Sequence, residues 1–273
     1  MTLVVIGPVT NDLVIIGEEK STRVGGATYF QSFVFEEFFN DYIAFVNCCD
    51  ESLTDDFPDM SKVHLIKKED THYFINEYPF EDKLDIRNQL SNFAKIPILP
   101  EDLQKILPEN IDAFVLNPLN RYDFPLETLE YLKGFHVTIF LSVQGFLRVP
   151  DVEVNRNYTI KLDVFDDLTT ILSNADLIFL DESEKNIIGD NIDVDEIVIT
   201  NGSHGSRIIG EDEIMIKAVE CENLVDTTGC GDTYMAAYVT QKLLLKSAEY
   251  AGNFASTIAG EKIKNFGPYN YNK

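Results

Sequence analysis

Residues 226–239 read Asp-Thr-Thr-Gly-Cys-Gly-Asp-Thr-Tyr-Met-Ala-Ala-Tyr-Val, a polar turn with two glycines that continues into an apolar segment of helical spacing. Glycine lets a backbone turn tightly and approach a ligand closely. The first N–H groups of a helix lack intrahelical partners, and the helix dipole makes that end positive. The stretch therefore predicts an anion-binding site at the start of a helix.

Asp232 falls in the first turn of this predicted helix, beside the anion site. A carboxylate there does not favour simple phosphate binding, but it suits a base that accepts a proton from a hydroxyl group attacking phosphorus. The alternative is that Asp232 only caps the helix and that the glycines only form a turn. A short glycine-rich loop taken alone leaves both interpretations open.

The sequence at 226–232, with Ala-Ala at 236–237, resembles the C-terminal signature of the PfkB/ribokinase family of sugar and nucleoside kinases. The resemblance implies one ribokinase-like α/β domain over residues 1–273, a three-layer, doubly wound, mostly parallel sheet with helices on both faces. It also implies a small β lid, inserted in that domain and formed by roughly residues 13–24 and 62–90.

The resemblance also implies roles for the residues of the motif. Asp232 corresponds to the catalytic base, and the backbone N–H groups of Gly229, Cys230 and Gly231 correspond to the anion hole. The family usually has Ala in place of Cys230, and because a backbone N–H acts there, the change should matter little. The implied reaction transfers the γ-phosphoryl group of ATP, with Mg²⁺, to a hydroxyl group of a small sugar or sugar-like polyol.

The charge of the chain bounds its partners. Its 46 acidic and 22 basic residues give a net charge of −24. Nucleic-acid binding depends on Lys and Arg neutralising phosphates, and anionic membranes attract basic segments, so the charge argues against both partners. An anionic nucleotide would therefore be held by local backbone dipoles and a metal ion.

The cysteines and the N-terminus bear on the compartment. The four cysteines, Cys48, Cys49, Cys221 and Cys230, show neither C-x-x-C nor zinc-site spacing, and free thiols indicate a reducing cytoplasm. The N-terminus shows neither the basic region nor the apolar run of a signal peptide. No stretch approaches the roughly 18 consecutive apolar residues of a spanning helix. We therefore expect a cytoplasmic protein.

The N-terminal region predicts a substrate site. The continuous apolar run Leu3–Ile6 predicts a buried parallel strand, and ligands of open α/β sheets bind beyond the carboxyl ends of such strands. Asp12 follows there, either as a turn residue or, as the resemblance implies, as the Asp that binds substrate hydroxyls. Gly25 and Gly26 correspond to the family's Gly-Gly, against which a sugar lies. Phe30 stands near a position where the family often has Asn, which leaves the substrate open.

The lid is predicted from alternating apolar and polar residues, which indicate exposed antiparallel strands at Val63–Ile66, Tyr73–Tyr78 and Leu84–Ile86. With Leu13–Gly17 they would cover the site and exclude water that competes with the acceptor hydroxyl. The alternative is a hairpin in a dimer interface. The family uses such lids for both purposes, so the lid is also a candidate homodimer interface.

Continuous apolar runs predict the remaining strands of the main sheet. These strands are Tyr42–Cys48, Ala113–Leu116, Val137–Leu141, Leu177–Leu180 and Glu196–Thr200. Helices are predicted near 126–133 and 167–173 and at 248–259, and a hairpin at 207–217.

Three acidic and basic side chains are further candidates for the site. Arg148 ends a Gln-Gly-x-x-Arg stretch seen in some branches of the family, and it would either reach substrate or phosphate or pair with a carboxylate. Glu184 matches the end of the family's Asn-x-x-Glu motif, which arranges Mg²⁺ and its water shell. Asp181 stands where Asn is usual, and a carboxylate still serves a hard cation through water. The alternative for both carboxylates is helix capping.

The resemblance implies a nucleotide site and a cation site. The nucleotide-binding positions are Thr200, Gly202, Gly205 and Asn253. Asp226 and Thr228 would supply half of a site for a monovalent cation such as K⁺. A nucleoside kinase of the same family is the nearer alternative function, and a non-catalytic regulator that binds nucleotide or sugar is the more distant one.

Overall fold

The computed structural model describes residues 1–79, 88–190, 192–221 and 224–270 of the chain. Its strands, in chain order, are β1 (Leu3–Ile6), β2 (Thr10–Ile16), β3 (Glu19–Gly25), β4 (Tyr42–Cys48), β5 (Val63–Lys67), β6 (Phe74–Tyr78), β7 (Asn88–Ser91), β8 (Ala113–Leu116), β9 (Thr138–Ser142), β10 (Arg148–Val154), β11 (Asn157–Leu162), β12 (Leu177–Asp181), β13 (Glu196–Thr200), β14 (Ser206–Ile209) and β15 (Glu213–Ile216). Its helices, in chain order, are α1 (Ala27–Phe38), α2 (Pro100–Leu103), α3 (Leu126–Lys133), α4 (Gln144–Leu147), α5 (Leu168–Leu172), α6 (Glu182–Ile188), α7 (Cys230–Leu243) and α8 (Ala248–Lys262). Within the described ranges, no helix combines the length and the apolar character needed to cross a membrane.

The main sheet has nine strands in the order β15-β14-β13-β12-β9-β8-β1-β4-β5. The strands from β13 to β5 run parallel, whereas β14 and β15 extend one edge as antiparallel strands. Because side chains alternate across a strand, Leu3 and Val5 of β1 join one core and Val4 and Ile6 join the other. Helices α1, α7 and α8 cover the first face, and α2, α3 and α5 cover the second. The predicted layered α/β fold is confirmed.

A second sheet has the strand order β10-β11-β7-β6-β2-β3. Strands β2 and β6 pair in parallel, and the other neighbours are antiparallel. The sheet combines strands from near the N-terminus with strands after β5 and after α4. It forms the lid of the molecule, and its residues Asp12, Phe74, Asn76, Gln89 and Arg148 reach the cavity described below.

The lid differs from the sequence-based prediction at two places. The strand predicted at Val63–Ile66 is β5, which pairs in parallel with β4 at the edge of the main sheet. Both of its faces contact a core, since Val63 and Leu65 pack against the first core and Ile66 is buried in the second, whereas His64 beside Ile66 is exposed as expected at a sheet edge. The lid gains instead the hairpin β10–β11, which was not predicted. The strand predicted at 84–86 lies outside the described residues.

The fold gathers the ends of distant segments. Strands β9, β12 and β13 end at Ser142, Asp181 and Thr200, and these residues line one cavity at the carboxyl edge of the main sheet. Helix α7 begins at the same cavity, preceded by the glycine turn. This edge is where ligands of open α/β sheets bind.

Candidate active site

One cavity of about 410 Å³ lies between the carboxyl edge of the main sheet, the lid and the start of α7. It brings together most of the residues that the sequence singled out. Those residues are Asp12, Gly26, Arg148, Asp181, Glu184, Thr200, Thr228, Gly229, Cys230, Gly231 and Asp232. Its volume falls in the usual range for small-molecule sites, and its lining is rich in polar groups.

The glycine turn needs glycine at its central position. Gly229 is the N-cap of α7 and has left-handed backbone angles, φ 73° and ψ 10°. A Cβ atom there would lie 2.2 Å from the ring of Phe30, which is buried on α1. The ring of Phe30, the residue that departs from the pattern implied by the resemblance, therefore packs directly against the turn.

The first turn of α7 provides the N–H groups expected of an anion site. The N–H of Cys230 donates to the backbone oxygen of Thr227 at 3.1 Å, so this group is used within the turn, and its part in the anion hole stays a prediction. Among the described residues, no protein acceptor is assigned to the N–H groups of Gly229 and Gly231. These two groups remain available to a bound anion.

The side chain of Cys230 has a packing role. Its Sγ lies 3.9 Å from the backbone oxygen of Ala259 on α8. Burial raises the pKa of the Cys230 thiol to about 11, so the group stays protonated at neutral pH. A thiol in that state is a poor nucleophile, and it fills the space between α7 and α8.

Two carboxylates approach the cavity from opposite sides. Asp232 is half-buried in the first turn of α7. Asp12 lies on β2, and its Oδ1 accepts the N–H of Phe74 at 3.0 Å, which fixes the carboxylate against β6. Gly25 makes room for it, because a Cβ at Gly25 would lie 2.6 Å from Asp12 Oδ2. Gly25 itself lines a smaller neighbouring cavity rather than the main one.

Asp181 and Glu184 form a capping box at the start of α6. Asp181 Oδ1 accepts the N–H of Glu184, and Glu184 Oε2 accepts the N–H of Asp181, both at 2.8 Å. Burial, with the neighbouring charge of Asp181, raises the pKa of Glu184 to about 7. The helix-capping alternative thus holds, and both side chains also line the cavity.

This raised pKa predicts a pH-dependent stability. The folded state holds the proton of Glu184 more tightly than the unfolded chain, whose ordinary value is 4.5. Stabilisation is therefore complete below about pH 4.5 and is lost as the pH rises to about 7. In buffer with a chelator, the free energy of unfolding should fall by at most about 3 kcal/mol over that window. Urea denaturation of the wild type and of Glu184→Gln, which keeps the capping acceptor, checks this, and equal pH slopes would contradict it.

The lid supplies polar residues that the sequence analysis missed. Phe74 and Asn76 share one face of β6, and Gln89 on β7 donates to Asn76 Oδ1 at 2.7 Å. Gln144 lines the same cavity from the stretch that precedes Arg148. The sequence did carry one signal, because Asn76 is a polar residue two positions from Phe74 and therefore lies on the same face of the strand. In the structure Asn76 is buried. The guanidinium of Arg148 lies 5.4 Å from the centre of the Phe74 ring.

The four residues predicted to bind the nucleotide do not all line the main cavity. Thr200 lines the cavity, whereas Gly202, Gly205 and Asn253 are not among its lining residues. Gly205 has φ 93° and packs against β15, where a Cβ would lie 2.1 Å from Ile216 O. Asn253 is exposed on α8, and its amide donates to Glu249 O at 2.9 Å.

Asp226 lies behind the glycine turn rather than in the main cavity. It lines the neighbouring cavity of about 270 Å³, together with Thr228. Its Oδ1 accepts the N–H of Thr228 at 2.9 Å, and its Oδ2 accepts the N–H of Gly267 at 3.0 Å. Lys262 lies against the same carboxylate. The sequence analysis did not identify Lys262, because a lysine near the end of a helix is common.

Three comparisons relate this chain to known proteins. Residues 152–273 match the family model described as pfkB family carbohydrate kinase. A comparison of the sequence with curated proteins found no match. A pyrophosphate-dependent kinase in the ribokinase family, complexed with a pyrophosphate analog and myo-inositol, is similar over 99% of this chain and 98% of its own, with 20% identity and a TM-score of 0.82.

Two further solved structures extend the comparison. Arabidopsis thaliana ribokinase complexed with ribose and ATP is similar over 98% of this chain and 94% of its own, with 17% identity and a TM-score of 0.72. A Burkholderia thailandensis nucleoside kinase in complex with inosine is similar over 98% and 93%, with 16% identity and a TM-score of 0.73. At these identities the similarity establishes a common fold along nearly the whole chain.

Proposed function

We propose that the protein phosphorylates a small sugar or cyclic polyol, because residues 152–273 match the model of the pfkB family of carbohydrate kinases and the whole chain has the ribokinase fold. In this proposal the protein is a phosphotransferase with an alcohol group as acceptor. Asp232 is the proposed general base. The observation that carries the proposal is the meeting of Asp12, Asp232 and the start of α7 in one cavity beneath a polar lid.

The lining of the cavity supports a polyhydroxylated acceptor. Asp12, Asn76 and Gln89 line it from the lid, Ser142 lines it from the end of β9, and Gln144 lines it from the start of α4. Carboxylates and amides bind vicinal hydroxyl groups well, because each oxygen accepts and each amide also donates. A volume of about 410 Å³ lies near the lower end of the range for small-molecule sites, which suits a small ring.

The proposed chemistry follows from the positions of these groups. Asp12 and the lid hold the acceptor with one hydroxyl group near Asp232. Asp232 takes the proton of that hydroxyl as its oxygen attacks phosphorus, and the bond from phosphorus to the bridging oxygen of the donor breaks. The N–H groups of Gly229 and Gly231 stabilise the charge on the transferring phosphoryl group. Arg148, at the start of β10, adds a positive charge to the lining of the same cavity.

Asp181 and Glu184 are the residues that would hold Mg²⁺. They fit this role, because both carboxylates line the cavity and lie next to each other at the start of α6, where each accepts the backbone N–H of the other residue. Among the described residues, no three acidic, His or Cys side chains are grouped to hold a metal ion, so water and donor phosphates would complete the shell. When bound, Mg²⁺ neutralises charge on the donor phosphates.

We propose ATP as the donor, with its transferred phosphoryl group at the glycine turn and its remainder beyond Thr200. A second donor, pyrophosphate, is favoured by a specific observation. Gly202, Gly205 and Asn253, the residues expected to hold the nucleotide, lie outside the cavity that contains Asp232. A pyrophosphate-dependent kinase is also among the structures of the same fold, with a TM-score of 0.82.

A product assay tests the function and the donor together. We expect the purified protein with Mg²⁺ to phosphorylate a small polyol or sugar in a panel of myo-inositol, ribose and inosine, with ATP and pyrophosphate supplied separately. Mass spectrometry detects the phosphorylated product.

Asp12→Asn should raise the KM for the acceptor by about tenfold or more, because it weakens a charge-assisted hydrogen bond. Asp212→Asn, in the exposed turn between β14 and β15, is the matched control.

The alternatives give different results in the same assay. Phosphorylation of inosine alone would favour a nucleoside kinase. ATP binding with no product from any acceptor or donor would favour a non-catalytic regulator. Dimerisation through the lid stays a prediction, which the molecular mass in solution tests.

A further inference from the structure

The end of helix α8 buries a positive charge behind the glycine turn. The side chain of Lys262 is 0% exposed. Its ammonium group donates to the backbone oxygen of Asp226 at 2.8 Å and lies 3.4 Å from Asp226 Oδ2. A buried ammonium group is costly without a partner, so these contacts fix where the charge lies.

Asp226 connects this charge to two parts of the chain. Its carboxylate accepts the N–H of Thr228 in the turn and the N–H of Gly267 in the C-terminal segment. The N–H groups of Val225 and Asp226 both donate to the backbone oxygen of Ile263, the residue after Lys262. One ammonium group therefore ties the start of the turn to the end of α8.

Lys262 also lies near the Phe30 ring that packs against the turn. Its Nζ lies 5.9 Å from the centre of the Phe30 ring, the ring that packs against Gly229. The charge of Lys262 interacts electrostatically with Asp226, Cys230 and Asp232. The lysine thus interacts with residues at both ends of the segment 226–232, which carries the proposed base.

A monovalent cation at Asp226 and Thr228 does not fit this arrangement. Such an ion would need oxygen atoms that carry no other cation, and the ammonium group of Lys262 already contacts Asp226 O and Oδ2. A second cation there would lie close to the ammonium group in a buried site, where like charges repel strongly. The expectation of K⁺ at these two residues is therefore at odds with the structure.

We propose that the ammonium group of Lys262 takes the place of a monovalent cation in this protein. Lys262 is then a positioning residue that holds the glycine turn in the shape its anion site needs. Activity and stability should not depend on K⁺, Na⁺ or NH₄⁺. The inference rests on the proposed function for its catalytic readout, and a stability readout is independent of it.

Exchange of the cation tests the proposal. Melting temperature and kcat/KM are measured in chloride salts of K⁺, NH₄⁺ and tetramethylammonium at equal ionic strength, for the wild type, Lys262→Ala and Lys264→Ala. Lys264 is exposed two residues further on and is the matched control. The wild type and the control should vary less than twofold in kcat/KM, with an unchanged melting temperature. Lys262→Ala should lose at least tenfold in tetramethylammonium, and K⁺ or NH₄⁺ should restore activity and raise its melting temperature.

Several outcomes would overturn the proposal. They are a tenfold activation of the wild type by K⁺, a melting temperature of the wild type that rises with K⁺, and full activity of Lys262→Ala without a small cation. If Lys262→Ala does not fold, the wild-type measurements decide alone. If the wild type lacks kinase activity but the melting temperatures behave as expected, the proposed function fails and the role of Lys262 stands.

Discussion

Replacing Asp232 by Asn should lower kcat by about 10²–10⁴-fold, the range for loss of a general base. The amide keeps the shape of the side chain at the start of α7 but does not accept a proton at neutral pH. KM for the acceptor should change little, since Asp12 and the lid do most of the proposed binding. Steady-state kinetics with the preferred donor and acceptor measure this, with Asp212→Asn as the matched control.

The competing role for Asp232 is a structural one, because a negative charge in the first turn, three residues after the N-cap Gly229, interacts favourably with the helix dipole. Such a role predicts a loss of at most about 1 kcal/mol in the free energy of unfolding of Asp232→Asn and unchanged turnover. Unchanged kcat would therefore remove the assignment of the base. A fall in kcat that parallels a fall in the free energy of unfolding would assign Asp232 a structural role.

The main sheet was predictable because buried parallel strands carry their signal locally. The apolar runs at Leu3–Ile6, Tyr42–Cys48 and Ala113–Leu116 coincide with β1, β4 and β8. A strand covered on both faces needs a continuous apolar run, and few other elements show one. Alternation at Val63–Ile66 indicates only that one face is covered, and it does not specify which sheet covers it. The placement of β5 therefore depended on tertiary pairing.

The site was predictable only where its parts are close in sequence. The turn, the anion site and the base lie within residues 226–232, and the two carboxylates of the capping box are three residues apart. The pair Asn76–Gln89 joins residues 13 positions apart, and the contact of Lys262 with Asp226 spans 36 positions. Such contacts are created by strand pairing and helix packing, and no local sequence pattern predicts them.

Phe30 shows how a departure from a family pattern acquires a physical meaning. In sequence it is only an aromatic residue where Asn is frequent. In the structure its ring occupies the space that a side chain at position 229 would need, and it lies near the ammonium group of Lys262. The ring therefore supports the turn from below, and any change of the turn must be accommodated by this buried ring.

The second large effect is expected from Gly229→Ala. Alanine at φ 73° is strained, and its Cβ would lie 2.2 Å from the ring of Phe30. Backbone strain and overpacking together should lower the free energy of unfolding by about 2–4 kcal/mol. Because the turn must move to relieve the overlap, the N–H groups leave the transferring phosphoryl group. Loss of a preorganised donor should lower kcat by about 10²–10³-fold.

Gly231→Ala separates a special need for glycine from a general intolerance of change. Gly231 lies two residues away in the same turn, and a Cβ there would meet no heavy atom within 4 Å. Its free energy of unfolding should stay the same or rise by up to about 1 kcal/mol, because Ala favours the helix. The variant that combines Gly229→Ala with Phe30→Leu should recover part of the lost stability, because the two positions are in contact. Equal stability losses in Gly229→Ala and Gly231→Ala, measured by urea denaturation, would mean that the ring of Phe30 does not fix the turn.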